Sequence, residues 1–161
     1  MNLPDLPWSD ILRDSATLAG AYLLAVPIGF NRERWERSAG IRTFPIVALA
    51  SCGLALIANR IPGATPDTYS RILQGLITGI GFVGAGAILK ERGTVSGTAT
   101  AASVWNVGVI GAATGLALYH IAVVLAVVNY LTLRYLKSME MRGDRTGKGP
   151  FASHPDDRDP A

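Results

Sequence analysis

Charge is what this 161-residue chain has least of. Charged residues make up 17% of it, against about 25% in an average soluble domain. The shortage is concentrated in four long apolar stretches, which excludes an ordinary soluble domain and points to a chain built for a bilayer. There is one cysteine, Cys52. It excludes an internal disulfide and a cysteine metal cluster, and its place inside an apolar run makes it a small packing residue. The two histidines, His120 and His154, form no nucleophile–base pair and no metal-ligand spacing, so no catalysis, metal or cofactor is expected. Residues 1–10 carry Asp5 and Asp10 and lack the basic region of a cleavable signal peptide, so none is expected. A net charge of +3 and a pI near 9.3 would suit nucleic acid. The lysines and arginines instead cluster at the ends of apolar runs, as membrane topology requires, and no nucleic-acid partner is expected.

Glycine is abundant, and residues 75–90, GLITGIGFVGAGAILK, hold the densest run: Gly75, Gly79, Gly81, Gly84 and Gly86. In water such a helix would be poor, since each interior glycine costs about 1 kcal/mol relative to alanine. In a bilayer the backbone must bond to itself, so a helix forms, and glycines let neighbours approach closely. The run lacks a preceding strand pattern and a Lys-Ser/Thr end, which excludes a phosphate loop. It is expected to be the central helix, packed on more than one face, with leucine at Gly79 or Gly84 disrupting the fold.

The other spans follow in order. Residues 15–31 are free of charge, with Pro27 expected to bend them. Arg32/Glu36 and Glu33/Arg37 then sit at i,i+4, which continues the helix past the surface. Arg42 and Thr43 open a second span, 43–59, and a loop with Pro62, Gly63 and Pro66 leads to a third, 72–89. Residues 90–93 read as a tight charged turn. From 93 to 133 there is no charge; a run so long exceeds one span of about 20 residues and must fold back, best at 115–120. The fourth span, 96–114, is small and hydroxylated and is expected to be enclosed, while the fifth, 118–135, faces lipid. The fold class is therefore all-α: a polytopic bundle of five transmembrane helices in residues 11–137, after an extracytoplasmic segment 1–10 and before a disordered cytoplasmic tail 138–161. Twelve of the fifteen lysines and arginines fall on one side in this arrangement, which puts the N-terminus outside and the C-terminus in the cytoplasm.

Three stretches carry a family resemblance. The first is Gly29-Phe30-Asn31-Arg32-Glu33-Arg34 with Ala39-Gly40-Ile41-Arg42-Thr43; the second is Arg71, then Gly79 to Ile88; the third is Val95-Ser96-Gly97 with Thr100 to Trp105, then Ile110-Gly111. In order and spacing the chain resembles the MgtC/SapB family of bacterial inner-membrane proteins. It departs at Thr98-Ala99-Thr100, where the family has Leu-Thr-Thr, and at Thr68-Tyr69, where it has Asp-Pro. Some members carry a folded C-terminal cytoplasmic domain, in place of which this sequence has a short polar tail. The resemblance implies magnesium homeostasis, growth at low magnesium and intracellular survival (a virulence-related role), and, in the best-known members, restraint of the membrane ATP synthase.

Two functions from different classes stand. One is a non-enzymatic regulator that binds a membrane partner such as the ATP synthase, or a second copy of itself, through small-residue helix faces; Gly75, Gly79, Gly81, Gly84, Gly86, Gly97, Gly111 and Gly115 are the packing candidates. The other is a cation (Mg²⁺) transporter or channel. Magnesium usually needs one or two carboxylates, and the five spans hold none, so Gln74, Thr78, Thr100, Ser103, Asn106 and Asn129, or backbone carbonyls, would have to line the path. The interaction candidates are Arg32, Glu33, Arg42, Thr43, Arg71, Gln74, Thr100, Trp105 and Asn106, with Arg32, Glu33 and Arg42 expected to face Thr100 and Trp105 at the cytoplasmic end. Single cysteines engineered at Thr65 and Gly147 should label from opposite sides of the membrane; labelling of both from one side would disprove the five-span topology.

Overall fold

The computed structural model describes residues 7–33, 40–91 and 94–144. Five helices follow one another: α1 (Trp8–Glu33), α2 (Thr43–Ala58), α3 (Pro66–Ala85), α4 (Thr98–Gly115) and α5 (Tyr119–Asp144). Between α3 and α4 lie two three-residue antiparallel strands, β1 (Leu89–Glu91) and β2 (Thr94–Ser96), with Lys90 opposite Val95. The all-α expectation holds for the five helices, and this short hairpin is the one addition to it among the described residues. The third helix stops at Ala85, short of the expected 89, because Gly84 and Gly86 weaken its end, and the β-branched pair Thr94-Val95 favours an extended chain. At the other boundary α5 runs on to Asp144, taking in residues 138–144 that were assigned to the tail; the rest of the tail lies outside the described residues. Pro27 lies within α1, and the helix continues through it.

Local chemistry sets the helix ends. Pro66 occupies the first turn of α3, and Thr65 and Thr68 cap it reciprocally through side chain and backbone. The turn from α4 to α5 closes with Leu118 N–H on Ala113 O at 2.8 Å and Ala117 N–H on Thr114 O at 3.1 Å. Ala117 stands there at φ +60°, the left-handed position that usually ends such a turn. Asn59, at the end of α2, donates its side-chain amide to Gly115 O at 3.3 Å and so satisfies a carbonyl that the end of α4 leaves open.

The helix at the centre is α4, which corrects the assignment of that place to the glycine-rich run. It packs against α1, α2, α3 and α5, and Thr100, Ser103, Val104, Val107, Gly108 and the whole of Ile110–Gly115 are buried on it. A Cβ at Gly111 would meet Ala48 Cα at 2.9 Å, and one at Gly115 would meet Cys52 O at 2.6 Å, so α2 and α4 touch backbone to backbone. Helix α3 lies at the edge, with Ile80 and Gly84 buried. A Cβ at Gly84 would meet Ala101 O at 3.1 Å, whereas one at Gly75, Gly79 or Gly81 would meet nothing within 4 Å in this chain. The small residues of 100–115 alternate around the whole helix circumference, and that is why this helix, not the third, can be surrounded.

The bundle is apolar outside as well as inside. Its core is built of small residues, among them Ala21, Ala25, Ala48, Cys52, Ala55, Ala122 and Ala126, with Phe44, Ile28 and Ile110 as the large members. Leu23, Ile46, Ile57, Phe82, Val124 and Val128 point outward, Phe82 at 84% exposure. An outer surface of this kind suits hydrocarbon and not water. Among the described residues, one helix, 8–32, is both long and apolar enough to cross a bilayer by itself; 43–58 and 119–135 are apolar but shorter. Gly97 begins α4 at φ +83°, with Ala87 O and Ile88 Cα against the place of a Cβ. Gly97→Ala and Gly111→Ala should each lower the stability of the detergent-purified protein by about 1–3 kcal/mol or more, the cost of overpacking, read as a lowered thermal midpoint. Unchanged midpoints would show that these contacts are loose.

Candidate functional site

Because α3 meets α2 only lightly, the two helices leave a groove between them of about 500 Å³. Val47, Ala50, Ser51 and Leu54 form its α2 wall, and Ile72, Gly75, Leu76, Gly79, Ile80 and Val83 its α3 wall. The spacing on each wall is that of one helix face. The walls are low where Ala50, Gly75 and Gly79 stand, which admits another backbone closely. Arg71 marks one end of the groove; it is exposed and pairs with Asp67 one turn earlier at 2.8 Å. Gln74 is exposed near the same end, and its carbonyl accepts from Thr78 Oγ1 at 2.9 Å.

At the opposite end of the bundle the expected cluster is only partly assembled. Arg32 is buried at 4% exposure, and Thr100 is fully buried. The Glu33 side chain lies outside the described residues. Arg42 is exposed at the N-terminal end of α2 and meets no carboxylate among the described residues. Thr43 begins α2 half-buried, and Trp105 turns outward from α4 at 44% exposure instead of facing the arginines. Asn106 donates to Leu125 O of α5 at 3.3 Å, and Ser103 Oγ bonds Ala99 O at 2.8 Å and Asn129 Oδ1 at 3.1 Å. These polar groups form a seam that ties α4 to α5. Of the glycines, Gly84, Gly97, Gly111 and Gly115 stand close against neighbouring backbone, a Cβ at Gly86 would meet Val83 O at 3.3 Å, and Gly75, Gly79 and Gly81 are open.

Comparison with known proteins fits this architecture. The MgtC family profile matches residues 18–142. Protein SrpB of Synechococcus elongatus is 36% identical over 152 residues, covering 87% of this chain and 84% of that protein. The chain belongs to the MgtC family. Protein MgtC of Brucella abortus is 35% identical over 144 residues, covering 87% of this chain and 60% of its own length, and Protein MgtC of Salmonella typhimurium is 36% identical over 111 residues, covering 69% and 47%. This MgtC-family chain thus spans about half to three-fifths of those two MgtC proteins. The family is one of membrane proteins. No solved structure matches.

A second polar feature was not foreseen. At the N-terminal end of α1 a pocket of about 330 Å³ gathers Asp10, Arg13, Asp14, Asn59 and Arg60 beside the α4–α5 turn. Arg60 forms an ion pair with Asp14, and that hydrogen bond pushes the guanidinium further up from its ordinary value. The signal was present in the spacing of Asp10, Arg13 and Asp14, three and four residues apart on one helix face; counting Arg13 and Arg60 only toward topology hid it. Burial separates the two arginines at the other end of the MgtC-family bundle. Arg32→Lys should reduce membrane abundance and growth in low magnesium, because lysine lacks the planar fork of donors that a buried site holds, whereas Arg42→Lys should be silent. Normal abundance and growth for Arg32→Lys would reduce Arg32 to a topology anchor.

Proposed function

We propose that this protein is a non-enzymatic regulator of the bacterial inner membrane, crossing it five times with its N-terminus outside, and that it works by receiving a helix of another membrane protein in the α2–α3 groove. The observation that carries this reading is the division of labour among its glycines. Those of α4 are consumed by the bundle itself, while Gly75 and Gly79 line an unfilled apolar groove. In lipid there is no hydrophobic force to drive helices together, so a face of small residues with nothing against it gains most from a close-packed partner helix. The exposed Arg71–Asp67 pair at the rim supplies a polar register mark. The family resemblance implies the membrane ATP synthase as that partner and growth at low magnesium as the physiological setting. Transport of Mg²⁺ is disfavoured because the Asn129 side-chain oxygen, a possible ligand, already accepts from Ser103 Oγ between α4 and α5, and the spans carry no carboxylate of the kind the ion normally needs.

Gly79→Leu is the decisive variant. A Cβ at Gly79 meets nothing within 4 Å, so the variant should reach normal membrane abundance and thermal stability; this revises the expectation that it disrupts folding. It should nonetheless lose capture of ATP-synthase subunits from detergent-solubilised membranes, and growth in low magnesium with it. Gly84→Leu, which strikes Ala101 O, should fail at the level of folding. Capture undiminished by Gly79→Leu, or Mg²⁺ flux by the purified protein in proteoliposomes, would overturn the regulator reading. Capture of a second copy of the chain in place of another protein would redirect it to self-association.

A further inference from the structure

The polar pocket at the N-terminal end of α1 continues into a second, apolar groove. Arg13, Thr17 and Tyr119 line both. The groove runs down α1 past Gly20, Leu23 and Leu24 on one side and Val123 of α5 on the other, with a volume of about 540 Å³. Each space falls within the range of about 300–1,000 Å³ usual for small-molecule sites. Nothing lies within 4 Å of a Cβ placed at Gly20, so the groove is open in its middle. Trp8 and Tyr119, exposed at 79% and 51%, stand at the same end of the bundle, where amphipathic aromatic rings mark the headgroup level of a bilayer.

A polar cavity at headgroup level that opens into an apolar channel along the bundle has the chemistry of an amphiphile. We infer that this composite site holds one phospholipid of zwitterionic headgroup, from the leaflet at the N-terminal end of α1. The charges in the pocket are balanced, two carboxylates and two guanidiniums. Arg60 is already bound to Asp14, whereas Arg13 makes no ion pair among the described residues. Arg13 is therefore the donor for the lipid phosphate, as guanidinium forks suit phosphate oxygens, and Asp10 accepts from the ammonium group. An anionic lipid without an amine would satisfy Arg13 and leave Asp10 facing the same negative charge. One acyl chain lies along Gly20, Leu23 and Val123. Asp10, Arg13 and Asp14 precede the residues that match the family profile, and Asn59, Arg60 and Tyr119 lie within them. The inference rests on the membrane assignment made above.

The test uses the full chain purified in detergent, with phosphatidylethanolamine and phosphatidylglycerol as probes. Native mass spectrometry should show one retained phosphatidylethanolamine, and added phosphatidylethanolamine should raise the thermal midpoint more than phosphatidylglycerol does. Gly20→Leu, whose Cβ meets nothing within 4 Å and whose side chain enters the open groove, and Arg13→Gln should keep the lipid-free midpoint and bind phosphatidylethanolamine about tenfold more weakly. Val128→Leu, on the exposed face of α5 away from the groove, should bind as the unaltered chain does. Equal response to both lipids, or undiminished binding by Gly20→Leu and Arg13→Gln, would overturn the site and leave ordinary bilayer solvation. Alkaline carbonate extraction reads the membrane assignment separately: release of the protein would overturn that assignment, while loss of lipid preference in protein that stays in the membrane would overturn the lipid site alone.

Discussion

Backbone contact between α2 and α4 is the constraint on which the rest of the bundle depends. Gly111 and Gly115 bring α4 onto Ala48, Cys52 and Ala55 with no side chain between them. Such an approach gathers many weak dispersion contacts, which is the main attraction left between helices when the surroundings are as apolar as the protein. With α2 so close on one side, the remaining sides of α4 accept α1, α5 and the end of α3. Gly97 then has to turn the chain into α4 directly over the Ala87 carbonyl, a place open only to a residue without a Cβ.

The same packing creates the two grooves. Helix α3 is anchored to α4 chiefly through Ile80 and Gly84, so its glycine face diverges from α2 and stays unfilled. At the other edge α1 and α5 are held apart where Gly20 provides no bulk, and the gap opens below the Asp14–Arg60 pair. One groove is lined by valine, leucine and isoleucine with Ala50, Gly75 and Gly79 low between them. The other is polar at one end and apolar beyond. These different linings underlie the different occupants proposed for two spaces of similar size.

Polar groups inside the bundle are spent on cohesion. Ser103, Asn106 and Asn129 join α4 to α5, and Asn59 closes the end of α4. A buried polar group unsatisfied in hydrocarbon costs several kcal/mol, and these pairings fix the rotation of α5 against α4. At the bundle's end two arginines ten positions apart in one charged stretch differ in burial, Arg32 being covered and Arg42 exposed.

The sequence by itself determined the number and order of the helices, because four apolar stretches, the last too long for one span and so folded back once, leave few alternatives. It also determined that α4 is enclosed, since residues 98–103 are too small and hydroxylated to favour lipid, and the family was legible in the motifs around Arg32, Gly79 and Thr100. Which glycines touch a neighbour was decided only by tertiary structure. Glycine is compatible with close contact and equally with an empty groove, and composition is the same at Gly79, which is open, and at Gly111, which is pressed against Ala48. The strands at 89–91 and 94–96 and the pocket around Asp14 and Arg60 were likewise hidden. The strands form a local hairpin whose three residues each are too few to show a period of two, whereas the pocket joins Asp14 and Arg60 from different helix ends, and a linear pattern records neither the distance nor the direction between them.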